Sequence, residues 1–348
     1  MSDSRSDPPP CLDPEPLAPG ARPQLGDLLA DGQLHSGADL ARQLGLSRAA
    51  VWKQVRELRL RHGLDIQAER GQGYRLRGGW EPLDEQRIRA ELAPDIRDRL
   101  AAIQVHPAID STNAWLMAQA RAGAPSGTLC LAEQQTGGRG RRGRRWVSPA
   151  GGNLYLSLLW RYTLPPARLG ALSLACGVAV LRALERIGVP QARIKWPNDL
   201  LWDNRKLAGL LLEVGGEMEG PSFVVVGVGI NVRVPAASGT EIDQPWCHLA
   251  EIPGAAAVRR NRLASGVASE LVRALELFGR DGLAPFLPDW HLRDQLRDAQ
   301  VVLDLGTRRV QGRCLGIAPN GALRLDLDGQ PQEFQVGEVS LRRAAEGD

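Results

Sequence analysis

The sequence predicts an α+β protein of several domains. An N-terminal winged helix-turn-helix precedes a central domain of mixed strands and helices, and a small β-barrel closes the chain. Three observations carry this. Between Gln24 and Leu76, two short helical patterns meet at a glycine and lead into a hairpin pattern. From Ala102 to about Gly282, apolar strand-like runs alternate with long apolar helical ones. From Val301 to Arg343 the apolar period shortens, with Gly and Asn turns between the runs, as in a small barrel.

A chain of 348 residues is too long for one ordinary domain. Its 43% hydrophobic and 24% charged residues suit a globular protein with a sizeable core. The net charge of +3 excludes a polybasic coat, so any nucleic-acid function must sit in a local patch. Cys11, Cys130, Cys176, Cys247 and Cys314 are scattered without a C-x-x-C pair. That argues against a zinc ribbon or disulfide framework and fits a reducing compartment. No apolar run is expected to reach the length of a membrane span, and the N-terminus lacks a hydrophobic signal core; the expectation is a soluble, cytoplasmic protein that does not engage a membrane.

Residues 1–22, rich in Pro, Asp and Ser, read as a disordered tail. Residues 23–78 form the predicted winged helix-turn-helix. Ser36 has the position of an N-cap, with Asp39 three residues on. Leu40, Ala41 and Leu44 give the first helix its apolar face, and Gly45 is placed to end it. Ser47 caps a second helix in which Val51, Val55 and Leu58 fall at helical spacing. Around that helix from the valines runs a stripe of Arg48, Trp52, Arg56 and Arg59, with Lys53 on its far side. Eight Lys/Arg face four Asp/Glu between Gly37 and Leu76, a surplus larger than that of the whole chain. A basic second helix is what entry into a major groove requires, because phosphates dominate affinity. Ser47, Arg48, Ala49, Trp52, Lys53, Arg56 and Arg59 are the candidate DNA contacts, with a merely solvated basic face as the alternative. Ile66 to Leu76, two short strands around a glycine turn, would be the wing.

Residues 79–100 read as a linker with a docking helix near Asp84 to Leu92, and residues 101–297 as the central domain. There, Leu154–Trp160 and Phe223–Val226 predict buried strands, Pro166–Val189 a helix opened by proline, and Ala264–Phe278 a core helix. Residues 298–348 form the predicted barrel.

Four clusters in the central domain bear on chemistry. Asp110-Ser111-Thr112-Asn113 opens a predicted helix, either as a plain N-cap or as hydrogen-bond partners for a small polar ligand. Glu133-Gln134-Gln135 leads into Gly138-Arg139-Gly140-Arg141-Arg142-Gly143-Arg144-Arg145-Trp146. Glycines let the backbone approach a ligand, and arginine forks match phosphate or carboxylate oxygens; a loop of this kind is expected to close on an anion. A solvated basic loop is the bland alternative. Lys195-Trp196-Pro197-Asn198-Asp199 and Arg205-Lys206-Leu207-Ala208-Gly209 set two lysines between apolar segments, where burial calls for an anionic partner. Gly227-Val228-Gly229-Ile230-Asn231 lacks the third glycine of a dinucleotide fingerprint. The five histidines show no metal-ligand spacing, and there is no Gly-x-Ser-x-Gly elbow and no Walker A lysine motif. What remains is cationic and suits electrostatic stabilisation of a phosphoryl or acyl-phosphate transition state.

In this order Ser111-Thr112-Asn113, the arginine-glycine loop, Lys195-Trp196-Pro197-Asn198-Asp199, Arg205-Lys206-Leu207-Ala208-Gly209 and Gly229-Ile230-Asn231 resemble the bacterial biotin–protein ligases. The predicted winged helix resembles that of the members that also repress the biotin operon. The resemblance runs from about residue 24 to the C-terminus. It implies a central domain of the biotin/lipoate ligase class and a Src-homology-3-like C-terminal barrel. It further implies biotin and ATP as substrates, Mg²⁺ with the nucleotide, and a biotin–[acetyl-CoA-carboxylase] ligase reaction. Biotin and ATP would give biotinyl-5′-AMP, which acylates a lysine of the biotin carboxyl carrier protein. By similarity Ser111, Thr112, Asn113, Gln135, Gly138, Arg139, Gly140, Arg141 and Lys206 bind biotin. Arg141, Arg144, Lys195, Asn198, Asn231 and Trp246 bind the nucleotide, Trp246 ending a loop that starts at Val232. Arg141, Lys195 and Lys206 would be catalytic, and no resident metal site is implied. Operator DNA and a homodimer formed with biotinyl-AMP are the further partners implied.

Two departures stand out. Gln134 replaces an aromatic residue expected before Gln135, and Trp52 stands among the arginines where a polar residue is more familiar. A ligase without regulatory DNA binding, and a lipoate-type ligase, are the rival readings; the arginine loop together with Lys-Trp-Pro-Asn-Asp favours biotin.

Overall fold

The computed structural model describes residues 25–29, 31–62, 64, 66–76, 81–234, 236–255, 258–306, 308–335 and 340–343. The tail expected at 1–22 lies outside them. The chain divides into two compact units, one ending at Pro82 and one starting at Leu83.

The first unit contains α1 (Leu25–Leu29), α2 (Gly37–Leu44), α3 (Arg48–His62), β1 (Ile66–Glu69) and β2 (Gly73–Leu76). Ser36 Oγ accepts from the Asp39 amide, and Gly45 ends α2 in the left-handed region at φ 65°, as expected. Ser47 Oγ caps α3 by accepting from the Ala50 amide at 3.2 Å. Leu25, Leu29, Leu40, Val51, Val55, Ile66 and Leu76 form the core. β1 and β2 pair antiparallel, and β2 also exchanges backbone bonds between Tyr74 and His35. That second pairing is why Gly73 is glycine. A Cβ there would lie 1.9 Å from the His35 carbonyl oxygen.

The second unit begins with α4 (Glu85–Glu91), α5 (Pro94–Arg97), β3 (Ala102–His106), α6 (Thr112–Arg121), β4 (Thr128–Ala132) and β5 (Leu154–Tyr162). Then follow α7 (Leu172–Arg186), β6 (Arg193–Lys195), β7 (Asp199–Trp202), β8 (Arg205–Gly216), β9 (Ser222–Ile230), α8 (Ala236–Gly239), α9 (Arg260–Asp281) and α10 (Leu287–Arg293). The last strands are β10 (Gln300–Asp304), β11 (Arg309–Ile317), β12 (Leu323–Leu327), β13 (Gln330–Phe334) and β14 (Ser340–Arg343). They form a five-stranded sheet in the order β13-β12-β11-β10-β14, antiparallel throughout. The segment expected to link and dock is built into the core here, with Ile88, Leu92, Ile96 and Leu100 packed among its residues.

The central sheet has the order β3-β4-β5-β9-β8-β7-β6. Only β3 and β4 run parallel. Its two faces are covered differently because side chains alternate along each strand. Leu156 and Leu158 of β5 and Val224, Val226 and Val228 of β9 join the large core with α7 and α9. Leu159 and Val225 pack instead with Leu116, Met117 and Ala120 of α6. Ser157, Gly227 and Gly229 share that second face, beyond the N-terminus of α6, and it is there that the sheet opens to a ligand.

Two expectations need correction. The helix predicted over Pro166–Val189 starts as a 3₁₀ turn, Pro166–Leu169. Ala171 then leaves helical geometry at φ −93°, ψ 1°, and the α-helix begins at Leu172. The same stretch contradicts the expectation that no run is long enough for a membrane span. Pro166–Arg186 has the length and apolarity, with mean hydropathy 1.6. Its apolar residues from Leu172 to Leu184 are buried in the core against α9 and the sheet, which accounts for its composition.

Candidate functional site

The α6 face of the central sheet carries a cleft of about 710 Å³. Gly209, Gly227 and Gly229 of the sheet are in its lining, strand residues with no side chain to fill it. Ser157 of β5 stands opposite Gly227 of β9, and Gly229 opposite Gly209 of β8. The glycines are spatially required. A Cβ on Gly227 would fall 2.2 Å from Asn113 Oδ1, and one on Gly229 would fall 2.5 Å from the Trp146 indole. The Gly-x-Gly of β9 therefore admits one side chain at each glycine. It is a device of close approach, not a phosphate cradle.

One set of lining side chains is neutral and hydrogen-bonded. Ser111 caps α6, its Oγ accepting from the Ala114 amide at 3.4 Å. Thr112 donates through its amide and its Oγ1 to Gln135 Oε1, at 2.9 and 3.1 Å. Gln135 Nε2 donates to Ser148 Oγ at 3.2 Å, and Ser148 Oγ donates to the Trp146 carbonyl at 3.0 Å. Asn113 Nδ2 spans the sheet to the Leu211 carbonyl and Glu213 Oε2, at 3.1 and 2.9 Å. Ser157 Oγ lies 2.7 Å from Thr112 Oγ1 and 2.6 Å from Asn113 Oδ1. The N-cap and ligand readings of Ser111-Thr112-Asn113 are thus compatible.

The other set is cationic. The arginine-glycine loop folds on itself: Gly140 N donates to the Arg144 carbonyl at 2.7 Å, and Trp146 N to the Gly138 carbonyl at 2.9 Å. At its tip Arg142 and Gly143 take φ 58° and 69°, a left-handed pair that glycine eases. Arg141 Nη1 donates to Asn198 Oδ1 at 3.2 Å, while Asn198 Nδ2 donates to the Leu210 carbonyl. Burial lowers the Arg141 pKa, with Asp199 opposing that shift. Lys206 Nζ pairs with Asp199 Oδ1 at 2.8 Å, both largely buried, and lies 5.4 Å over the Trp146 ring. Lys195, at the end of β6, also lines the cleft. Trp196, also in the lining, is anchored by its Nε1, which donates to the Gly321 carbonyl at 3.2 Å.

The structure thus brings Ser111, Thr112, Asn113, Gln135, Arg139, Gly140, Arg141, Arg144, Lys195, Asn198 and Lys206 into one lining. Gly138, Asn231 and Trp246 are outside it. Gly138 is closed off by Ser148 and Trp146, each 2.5 Å from where its Cβ would be. Asn231 is buried and spends its Nδ2 on the Lys206 and Cys247 carbonyls, so it braces the strand that carries Lys206. Trp246 bridges alongside Lys206 and stacks edge-on against His248. Motif reading assigned no role to Asp199, Ser157, Ser148 or the Trp146 ring. Asp199 stood in a quoted motif, but its pairing with Lys206 crosses from β7 to β8, a partnership that spacing does not reveal.

In the first unit Ser47, Arg48, Ala49, Trp52, Lys53 and Arg56 are exposed on α3. Trp52 is 54% exposed, with the Arg56 guanidinium 5.8 Å from its ring centre. Arg59 differs from the others. Its Nε donates to the Ile66 carbonyl at 2.8 Å, tying α3 to the wing.

Comparisons with known proteins agree with this geometry. Residues 105–231 match the biotin/lipoate A/B protein ligase family, 27–75 an HTH domain, and 300–342 the biotin protein ligase C terminal domain. The chain is 41% identical over 321 residues to the bifunctional ligase/repressor BirA of Salmonella typhimurium, covering 92% of this chain and 97% of that protein. It is 37% identical over 264 residues to the biotin–[acetyl-CoA-carboxylase] ligase of Mycobacterium tuberculosis, covering 74% and 95%. Among solved structures, the biotin protein ligase from Aquifex aeolicus in complex with biotin and ATP superposes with a TM-score of 0.59 at 30% identity, covering 71% of this chain and 99% of that one.

Proposed function

The chain belongs to the biotin protein ligases, and from that premise we propose that its cleft makes biotinyl-5′-AMP and passes the biotinyl group to a carrier lysine. One observation carries the proposal: a single cleft holds both a neutral hydrogen-bonding set and a cationic set. The neutral set, Thr112, Gln135 and their neighbours, suits an uncharged polar head group such as the biotin ureido ring. The cations suit a carboxylate meeting a nucleotide. The biotin carboxylate oxygen attacks the α-phosphorus of ATP, the bond to pyrophosphate breaks, and a mixed anhydride with AMP remains. Lys206 and Arg141 stabilise the charge that develops on the reacting oxygens, and Lys195 and Arg144 serve the nucleotide phosphates. The ε-amine of the carrier lysine then attacks the acyl carbon and AMP leaves. The nucleophile arrives on the partner, so no serine or cysteine nucleophile is needed in the cleft. Enclosure by the arginine-glycine loop keeps water from the anhydride.

Among the described residues no group of three or more His, Cys, Asp or Glu could hold a metal ion. Mg²⁺ would arrive with the nucleotide, whose phosphates and waters supply most of its oxygen ligands. The carrier is the biotin carboxyl carrier protein of acetyl-CoA carboxylase.

The basic, exposed face of α3 supports a second activity, biotinyl-AMP-dependent repression of biotin genes by a cytoplasmic homodimer on two operator half-sites. Phosphate contacts would come from Arg48, Lys53 and Arg56, with Ser47, Ala49 and Trp52 at the base edges and Arg59 bracing the wing. A gel shift with the chain's own biotin-gene upstream DNA tests this activity. Binding that appears with biotin plus ATP supports it. Equal binding with and without them, or none, leaves an enzyme whose winged helix does not regulate.

A further inference from the structure

The segment leaving β9 and the segment returning toward α9 pair through Leu249 N to the Asn231 carbonyl and Ala250 N to the Val232 carbonyl, at 2.9 and 3.0 Å, and one imidazole extends that pairing outward. His248 Nδ1 accepts from the Val234 amide at 2.8 Å. On its other side Nε2 lies 2.8 Å from Glu251 Oε1, and Glu251 Oε2 accepts from Arg205 Nη1 at 2.7 Å. Arg205 immediately precedes Lys206, whose amide and carbonyl are bonded to Pro245 and Cys247. The outgoing limb is tied down as well, through Arg233 N to the Gly152 carbonyl at 2.7 Å. Between these limbs the chain makes an excursion that contributes Glu241, Asp243, Gln244 and Pro245 to the cleft lining. The His248 side chain thus adds the outermost tie at the stem of a cleft-lining loop and links it, through Glu251 and Arg205, to the strand bearing Lys206.

We propose that His248 is a positioning residue for the ligase reaction, a neutral clasp that holds the cleft-lining segment 241–246 in register with Lys206. The inference rests on the proposed ligase function, whose cleft this loop lines with Glu241, Asp243, Gln244 and Pro245. Geometry dictates the tautomer. Nδ1 must be unprotonated to accept from Val234, so Nε2 carries the hydrogen and donates it to Glu251. An imidazolium has no acceptor left and would strand the Val234 amide. The charged groups facing the ring are Glu251, which favours protonation, and Arg233 and Arg205, which oppose it; burial adds to the opposition, and the pKa is lowered. The sign follows. The clasp is fully formed above the ordinary imidazole value, about 6.5. It is lost as pH falls through the lower value of the folded protein.

Two variants separate a clasp from a merely structural residue. His248→Ala removes both bonds. His248→Asn places an amide oxygen where Nδ1 stood, so it still accepts from Val234 but cannot titrate. Hydrogen exchange of the Val234 amide in the full-length, ligand-free protein reads the clasp directly, whatever the chain catalyses. In the wild type, protection should fall severalfold between pH 7.5 and pH 4.5 relative to the Asn231 amide, which bonds the Leu207 carbonyl. In His248→Asn it should be independent of pH, and in His248→Ala absent. Biotin-dependent ATP–pyrophosphate exchange reads the consequence: His248→Ala should raise KM for ATP about tenfold with kcat within twofold, and His248→Asn should restore KM. A Val234 amide protected equally at both pH values in the wild type, or equally in wild type and His248→Ala, overturns the clasp. Intact pH-dependent protection without any exchange in the wild type would instead overturn the ligase reading.

Discussion

Lys206 Nζ stands 2.8 Å from Asp199 Oδ1, so the cation most central to the cleft is held by a carboxylate on the neighbouring strand. The pair arises from register. Asp199 opens β7, and β7 meets β8 through an irregularity between Leu200 and Leu201. A largely buried ammonium needs an anionic partner, and Asp199 supplies it until a substrate anion arrives. Removing Lys206 with Ala should slow adenylate formation by about 10²–10³-fold, the usual cost of losing one preorganised electrostatic donor. Single-turnover formation of biotinyl-AMP measures this, with circular dichroism checking that both units remain folded.

Arg141 reaches from the arginine-glycine loop to Asn198, spanning the cleft. Arg141→Gly should loosen the loop's hold on the adenylate. Free biotinyl-AMP in the medium should rise, and lysines on bystander proteins should become labelled. Unchanged adenylate release with labelling confined to the carrier would refute the loop assignment.

Gly229 gives the Trp146 indole its place against β9. Gly229→Ala should push the ring off the sheet at a cost of about 1–3 kcal/mol from overpacking. Biotin affinity should fall and tryptophan emission should shift, while melting remains cooperative. Wild-type biotin affinity in this variant would show that the ring's seat is not part of the ligand site.

Glu133 leads into the arginine-glycine loop but serves stability rather than chemistry. It pairs with Arg260 at 2.8 Å, both about 5% exposed, and also accepts from the Leu83 amide. Arg260 in turn donates to the Asn153 carbonyl. Arg260→Ala leaves a buried carboxylate without its cation and should cost about 3–5 kcal/mol, read as a lowered denaturant midpoint at neutral pH.

On α3 the arginines should divide by role. Arg48→Ala with Arg56→Ala should weaken DNA binding and reduce the magnitude of its salt slope by about two, with the melting temperature unchanged. Arg59→Ala should lower the stability of the first unit, because its guanidinium holds the Ile66 carbonyl.

These contrasts mark what was legible in the sequence. Local signals read well: Ser36, Gly45 and Ser47 bound the helices they were expected to bound, and Ser111 caps α6. Local capping depends on a few adjacent residues and needs no tertiary partner. The twelve-residue strand β8 was not legible, because its charged start and its glycines interrupt the apolar run of Leu210, Leu211 and Leu212. The break at Ala171 was invisible for a related reason, since the apolar period continues through it. Hardest to read were partnerships across the sheet: Asp199 with Lys206, Ser157 with Thr112, His248 with Val234. Each joins elements that only the fold brings together.

Exchange of labelled pyrophosphate into ATP, run with biotin, with lipoate and with neither, tests the central claim most directly. Biotin-dependent exchange that Lys206→Ala slows by about 10²–10³-fold, with lipoate no better than no acid, is the predicted result. Exchange supported equally by lipoate, or no biotin-dependent exchange in the folded wild type, would contradict it.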